Sequence, residues 1–131
     1  MKVKAKLENL SAIADFLDET MEEFGIPEHT YAVKTAVDEA CSNVMLYGYP
    51  EGEGDINITC EAGNGVLTIT IRDKGLSFDP DKVPPPDLEA DLEHRRIGGL
   101  GIYFLKTLMD EVTYSFKDDG NYLVLKKRYS D

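Results

Sequence analysis

Three groups of polar residues in this sequence have the types and spacing for chemistry. Glu39 and Asn43 lie four apart in a helical pattern, Asp73-Lys74-Gly75 ends a strand pattern, and Gly98-Gly99-Leu100-Gly101 opens a helical one. At ~100° per residue, Asn43 projects within ~20° of Ala36 and Glu39 lies ~40° further round, so both border an apolar stripe and neither is freely solvated. The amide oxygen of Asn43 is a hard donor of the kind Mg²⁺ takes beside phosphate oxygens and water. Glu39, one turn earlier, can accept a proton from a hydroxyl or water attacking phosphorus. A carboxylate at Asp73 can accept a hydrogen bond from an exocyclic amine, while Gly75 lets the backbone approach a flat ring. The glycines from Gly98 to Gly101 leave backbone N–H groups exposed at the positive end of a helix, which favours phosphate. Each group alone is common in turns and helix boundaries, but in this order they describe a purine nucleotide pocket.

The surrounding pattern supplies elements to position them. A short strand is expected at Val3 to Leu7. Leu10, Ile13, Ala14, Leu17, Met21 and Phe24 then recur at helical spacing, with Asn9 or Ser11 as cap and Gly25 and Pro27 as stop. A second helix is expected from about Glu28 to Tyr47, with a stripe of Val33, Ala36, Val37, Ala40 and Val44. Alternation in Ile56, Ile58, Cys60 and in Leu67, Ile69, Ile71, around Gly63-Asn64-Gly65, predicts a β-hairpin. A third helix is expected from Gly101 to Asp110. A second hairpin follows, with Val112, Tyr114 and Phe116 facing Leu123 and Leu125 across Asp118-Asp119-Gly120. Strands grouped in hairpins and helices grouped in runs imply an α+β fold, a two-layer α/β sandwich with a mixed, mainly antiparallel sheet and helices on one face.

The 131 residues are enough for one domain with one core. A hydrophobic fraction of 42% and a charged fraction of 30% fit a soluble globular protein. With 25 acidic residues against 14 basic ones, the net charge of −11 repels phosphate backbones and anionic headgroups, so nucleic acid and membrane are not expected as partners. The basic N-terminus lacks an apolar run behind it, and a cytoplasmic location is expected. Cys41 and Cys60 belong to no paired-cysteine motif and are expected to be buried, reduced thiols.

Between Gly75 and Gly98 lie 22 residues without a clear period. Loops this long in compact domains are usually lids or disordered segments, and bridging two of the polar groups favours a lid at about 76–98. His94, Arg95 and Arg96 form its basic cluster, placed to counter a γ-phosphate or to offset neighbouring carboxylates.

Glu39-x-x-x-Asn43, Asp73-x-Gly75 and Gly99-x-Gly101 resemble the N, G1 and G2 boxes of the Bergerat-fold (GHKL) ATPases, in that family's order. Within it, Asp38-Glu39-Ala40-Cys41-Ser42-Asn43 and the run from Gly99 to Val112 most resemble the anti-sigma-factor serine/threonine kinases. The similarity extends from about Leu10 to Arg128. The resemblance implies a Bergerat ATP-binding fold over residues 1–131, with ATP or ADP and Mg²⁺ as cofactors. It makes Glu39 the general base, Asn43 the Mg²⁺ ligand and Asp73 the adenine contact. Gly75, Gly98, Gly99, Leu100 and Gly101, with Arg95 and Arg96, would hold the nucleotide. It also implies transfer to a serine or threonine of a small anti-anti-sigma (STAS-type) protein, sequestration of a sigma factor or other regulator, and possible homodimerisation. The chain departs from the family pattern at Tyr47, often His, and at Leu46, often acidic. Neither Lys nor Arg occurs between Lys6 and Lys34, and Asn121-Tyr122 replaces a threonine often found entering the last strand. A nucleotide-gated binding module with little or no transfer is the alternative these departures leave open.

Overall fold

The computed structural model describes residues 1–49, 53–76 and 105–129. The lid beyond Leu76, with Arg95 and Arg96, and Gly98 to Gly101 lie outside the described residues. A strand β1 (Lys2–Lys4) leads through a 3₁₀ turn (Leu7–Asn9) into helix α1 (Leu10–Glu23). The first strand is therefore shorter than the Val3 to Leu7 expected, because the chain turns at Lys6. Asn9 occupies the cap position of α1 but makes no side-chain cap bond; its Nδ2 donates instead to the Lys4 carbonyl at 2.9 Å, fastening that turn. At the other end Gly25 takes φ +74°, so that Ile26 N–H reaches Met21 O and Gly25 N–H reaches Glu22 O. These two bonds form a Schellman ending, with Met21 and Ile26 both buried beneath it.

The second helical segment is composite. A 3₁₀ turn (Pro27–His29) precedes helix α2 (Thr30–Asn43), and a π turn (Val44–Gly48) follows. The expected helix from Glu28 to Tyr47 thus changes character at both ends. Val33, Ala36, Val37, Ala40 and Cys41 form its buried side and pack against α1 and the sheet.

Strands β2 (Asp55–Gly63) and β3 (Val66–Asp73) form the first hairpin, and β4 (Glu111–Lys117) and β5 (Gly120–Arg128) the second. Each turns on two residues with positive φ: Asn64 (56°) and Gly65 (79°), then Asp118 (53°) and Asp119 (59°). That combination gives the twist that suits tight hairpins, and Asn and Asp tolerate it better than other side chains. The strand order is β1-β2-β3-β5-β4, and all four pairings are antiparallel, so the mixed sheet anticipated from the pattern is antiparallel throughout the described residues. Residues 105–108 are helical, within the third helix expected.

Because side chains alternate across a sheet, register sets which residues share the covered face. Ile56, Ile58, Leu67, Ile69, Ile71 and Leu125 face inward and are fully buried against Ile13, Leu17, Val33 and Val37. Cys60 is half-buried rather than buried, since β1 pairs with β2 only as far as Asn57 and Cys60 lies beyond it on the edge of the sheet. The opposite face is polar, with the Arg72 guanidinium 4.9 Å and the Lys117 ammonium 4.7 Å from the centre of the Tyr122 ring.

Candidate nucleotide site

The inward-facing row of β3 runs Leu67, Ile69, Ile71 and then Asp73, so an apolar face ends on a carboxylate. Asp73 is directly opposite Asn121 of β5. Asp73 is only 8% exposed and Asn121 5%, so both polar groups require partners. Asp73 Oδ1 accepts from Gly75 N–H at 2.8 Å and from Asn121 Nδ2 at 2.9 Å. The same Asn121 nitrogen donates to Leu76 O at 2.9 Å and lies 3.3 Å from Gly75 O, while the Tyr114 hydroxyl donates to Asn121 Oδ1. Burial raises the Asp73 pKa, and the hydrogen bonds from Asn121 and Gly75 offset part of that rise.

The loop after Asp73 is tied to the end of α2. Leu76 N–H donates to Gly48 O at 2.8 Å. A Cβ at position 75 would lie 2.5 Å from that oxygen and 3.0 Å from Gly48 Cα. The glycine of Asp-x-Gly is thus explained by backbone meeting backbone, whatever ring it also admits. Tyr49, the next residue, uses its hydroxyl twice, accepting from Lys74 N–H at 2.8 Å and donating to Asp55 O at 2.9 Å. Its ring fills the space beside Gly54, where a Cβ would fall 2.1 Å from it.

On α2, Glu39 and Asn43 are both half-buried, as their place at the edge of the stripe requires. Asn43 Nδ2 donates back to the Glu39 carbonyl at 3.0 Å, which commits the amide nitrogen to the helix and turns Oδ1 the other way. A hard oxygen donor so oriented fits a Mg²⁺ ion. Burial, and secondly the Asp38 carboxylate, raise the Glu39 pKa, which suits a group that must take up a proton. Burial and the charges of Asp38 and Asp73 push the Cys41 thiol up to about 12, so Asp73 acts electrostatically on α2 as well.

The turn that ends α2, the helix of Glu39 and Asn43, is thereby fastened to the loop of Asp73 and Gly75. Sequence reasoning missed Tyr49, Asn121 and Tyr114. The replacement of a threonine by Asn121 was its one visible signal.

A match to the Histidine kinase-like ATPase domain covers residues 3–127. The chain belongs to this ATPase family. The Serine-protein kinase RsbW of Bacillus cereus (strain AH820) is 32% identical over 132 residues, spanning 97% of this chain and 82% of that protein. The RsbW of Bacillus thuringiensis (strain Al Hakam) is equally similar over the same shares. Among solved structures, the histidine kinase domain of the Erythrobacter litoralis EL346 blue-light activated histidine kinase superposes with a TM-score of 0.57 at 14% identity. It covers 94% of this chain, which spans 60% of that one. The Acinetobacter baumannii histidine kinase AdeS gives 0.56 at 9% identity, over 100% of this chain and 68% of its own. At such identities the likeness speaks for the fold alone. In this histidine kinase-like ATPase, no helix among the described residues is long and apolar enough to cross a membrane.

Proposed function

We propose that the chain is an ATP- and Mg²⁺-dependent serine/threonine protein kinase and anti-sigma factor, acting on a small anti-anti-sigma (STAS-type) protein and sequestering a regulator. The observation that carries this reading is Glu39, a half-buried carboxylate of raised pKa one helical turn before Asn43, on a helix whose end is fastened to the Asp73 loop. Similarity to RsbW serine-protein kinases along nearly the whole chain supports it.

In this reading Asp73 accepts the exocyclic amine of adenine and Gly75 keeps the loop close to α2. Gly98, Gly99, Leu100 and Gly101, with Arg95 and Arg96, hold the phosphates. Asn43 Oδ1 holds Mg²⁺, which when bound neutralises phosphate charge. The acceptor hydroxyl oxygen forms a bond to the γ-phosphorus and its proton passes to the Glu39 carboxylate. The bond between that phosphorus and the β–γ bridging oxygen breaks, and the electron pair leaves with ADP. Such transfers depend on placement and charge neutralisation, which a rigid helix and a tied loop supply.

Labelled ATP and the cognate small acceptor test the reading. Wild-type protein transfers phosphate to a serine or threonine, whereas Glu39→Gln retains ATP binding and transfers none. Undiminished transfer by that variant removes Glu39 from the mechanism. A partner held only in the presence of ATP, and never phosphorylated, establishes the nucleotide-gated module instead, the reading favoured by an α1 devoid of Lys and Arg.

A further inference from the structure

We infer that Asn121, steadied by Tyr114, is a specificity-determining positioning residue that presents Asp73 to the base as a fixed acceptor. The inference rests on the reading of this site as an ATP pocket. No contact between Asn121 and nucleotide is involved; it acts through the carboxylate and the loop.

The Asn121 amide has two N–H donors and one oxygen, and all are used: Nδ2 serves Asp73 Oδ1 and the carbonyls of Leu76 and Gly75, and Oδ1 takes the Tyr114 hydroxyl. The Tyr114 bond fixes which way the amide points. Rotated by half a turn, Asn121 would set oxygen against oxygen at Asp73 and leave the Leu76 carbonyl without its donor. Asn121 thus joins three strands and the base loop through one side-chain amide: its oxygen takes Tyr114 of β4, its nitrogen reaches Asp73 at the end of β3 and Leu76 beyond it, and its own backbone lies on β5.

For base selection, both hydrogen bonds to Asp73 fall on one oxygen. Oδ1 is occupied by protein donors, which directs Oδ2 to an incoming N–H. A carboxylate locked in this way rewards a ring bearing an exocyclic amine and penalises one bearing a carbonyl, because two acceptors would then face each other. Without Asn121, Oδ1 keeps only the Gly75 bond, the carboxylate regains rotation about its Cβ–Cγ bond, and two loop carbonyls lose a donor.

The experiment compares ATP with inosine triphosphate, which differs at the relevant position by replacing the amine with a carbonyl. Dissociation constants by calorimetry and KM and kcat for phosphate transfer are measured on wild type, Asn121→Ala and Tyr114→Phe, with folding checked by thermal melting. Asn121→Ala is expected to lose roughly tenfold in ATP affinity, the scale of a hydrogen bond to a charged group. Inosine triphosphate affinity changes much less, so the ratio between the two narrows, and KM rises while kcat holds. Tyr114→Phe, which retains the ring, moves both quantities the same way by a smaller factor and serves if Asn121→Ala does not fold. Equal losses for both nucleotides, or an unchanged ratio in a folded variant, overturn the inference and leave the ATP pocket standing. Wild-type protein that binds neither nucleotide overturns the pocket and the inference with it.

Discussion

Gly75 lies against Gly48 with no room for a side chain between them: a Cβ at position 75 would stand 2.5 Å from the Gly48 carbonyl oxygen and 2.8 Å from its carbon. Both neighbours are backbone, so neither can swing aside as a side chain would. Gly75→Ala must separate the π turn from the Asp73 loop, stretching the 2.8 Å bond from Leu76 N–H to Gly48 O. A loss of roughly 1–3 kcal/mol is expected, the usual cost of overfilling a packed contact. Thermal melting and calorimetry with ATP should show lower stability and weaker binding together.

Tyr49→Phe tests the second tie between the same elements. The ring would still fill the space beside Gly54, but Lys74 N–H would lose its acceptor and Asp55 O its donor. About 1 kcal/mol of stability should be lost, because the site is part-exposed and water can replace some of what is removed. Urea denaturation measures it, and an unchanged midpoint would show that the hydroxyl is dispensable.

In the proposed mechanism Glu39 is the base, and its raised pKa makes transfer pH-dependent in a defined sense. A base must be ionised, so activity falls as pH drops through that pKa, and raising the pKa brings the fall closer to neutrality. Burial is the larger cause and persists in any surface variant. Asp38 is the smaller cause and can be removed. Asp38→Asn should move the acidic limb of the kcat profile to lower pH, by an amount that shrinks with added salt because Asp38 is exposed.

Asp73, the proposed adenine contact, sets stability against binding. Its folded-state pKa is raised by burial, so the folded chain holds that proton more tightly than the unfolded chain does. As pH climbs from the ordinary carboxylate range through the raised value, ionisation therefore favours unfolding. Asp73→Asn keeps an Oδ1 for Gly75 and Asn121 but carries no charge. It should melt higher than wild type at neutral pH, with the gap closing in acid where both side chains are neutral. ATP binding should be lost in the same variant, since Nδ2 offers a donor where the base amine needs an acceptor. A variant that melts lower at neutral pH would contradict the balance of burial over hydrogen bonding.

Much of this arrangement is legible in the sequence alone. The two hairpins follow from strict alternation around Asn64-Gly65 and Asp118-Asp119, since period and turn chemistry are local properties. The edge position of Glu39 and Asn43 follows from helical angle alone. What could not be read is the pairing of β3 with β5, because it joins strands distant in sequence and depends on the packing of the whole layer. Asn121 was missed for that reason, and Tyr114 with it, since it bears on the site through Asn121; Tyr49 was missed because its hydroxyl joins Asp55 and Lys74, which it meets only where the turn packs on the sheet. The π turn was missed too, since Val44 to Gly48 continues a helical pattern until Gly48 is drawn toward Leu76.

The same β3–β5 pairing bears on the order of events during folding. Each hairpin can close on its own over a short loop, whereas Asp73 and Asn121, 48 residues apart, meet only when the two hairpins join. The proposed nucleotide pocket is therefore a product of that joining and has no counterpart in either half. ATP should leave refolding rates nearly unchanged and lengthen the lifetime of the folded chain, acting as a brake on unfolding.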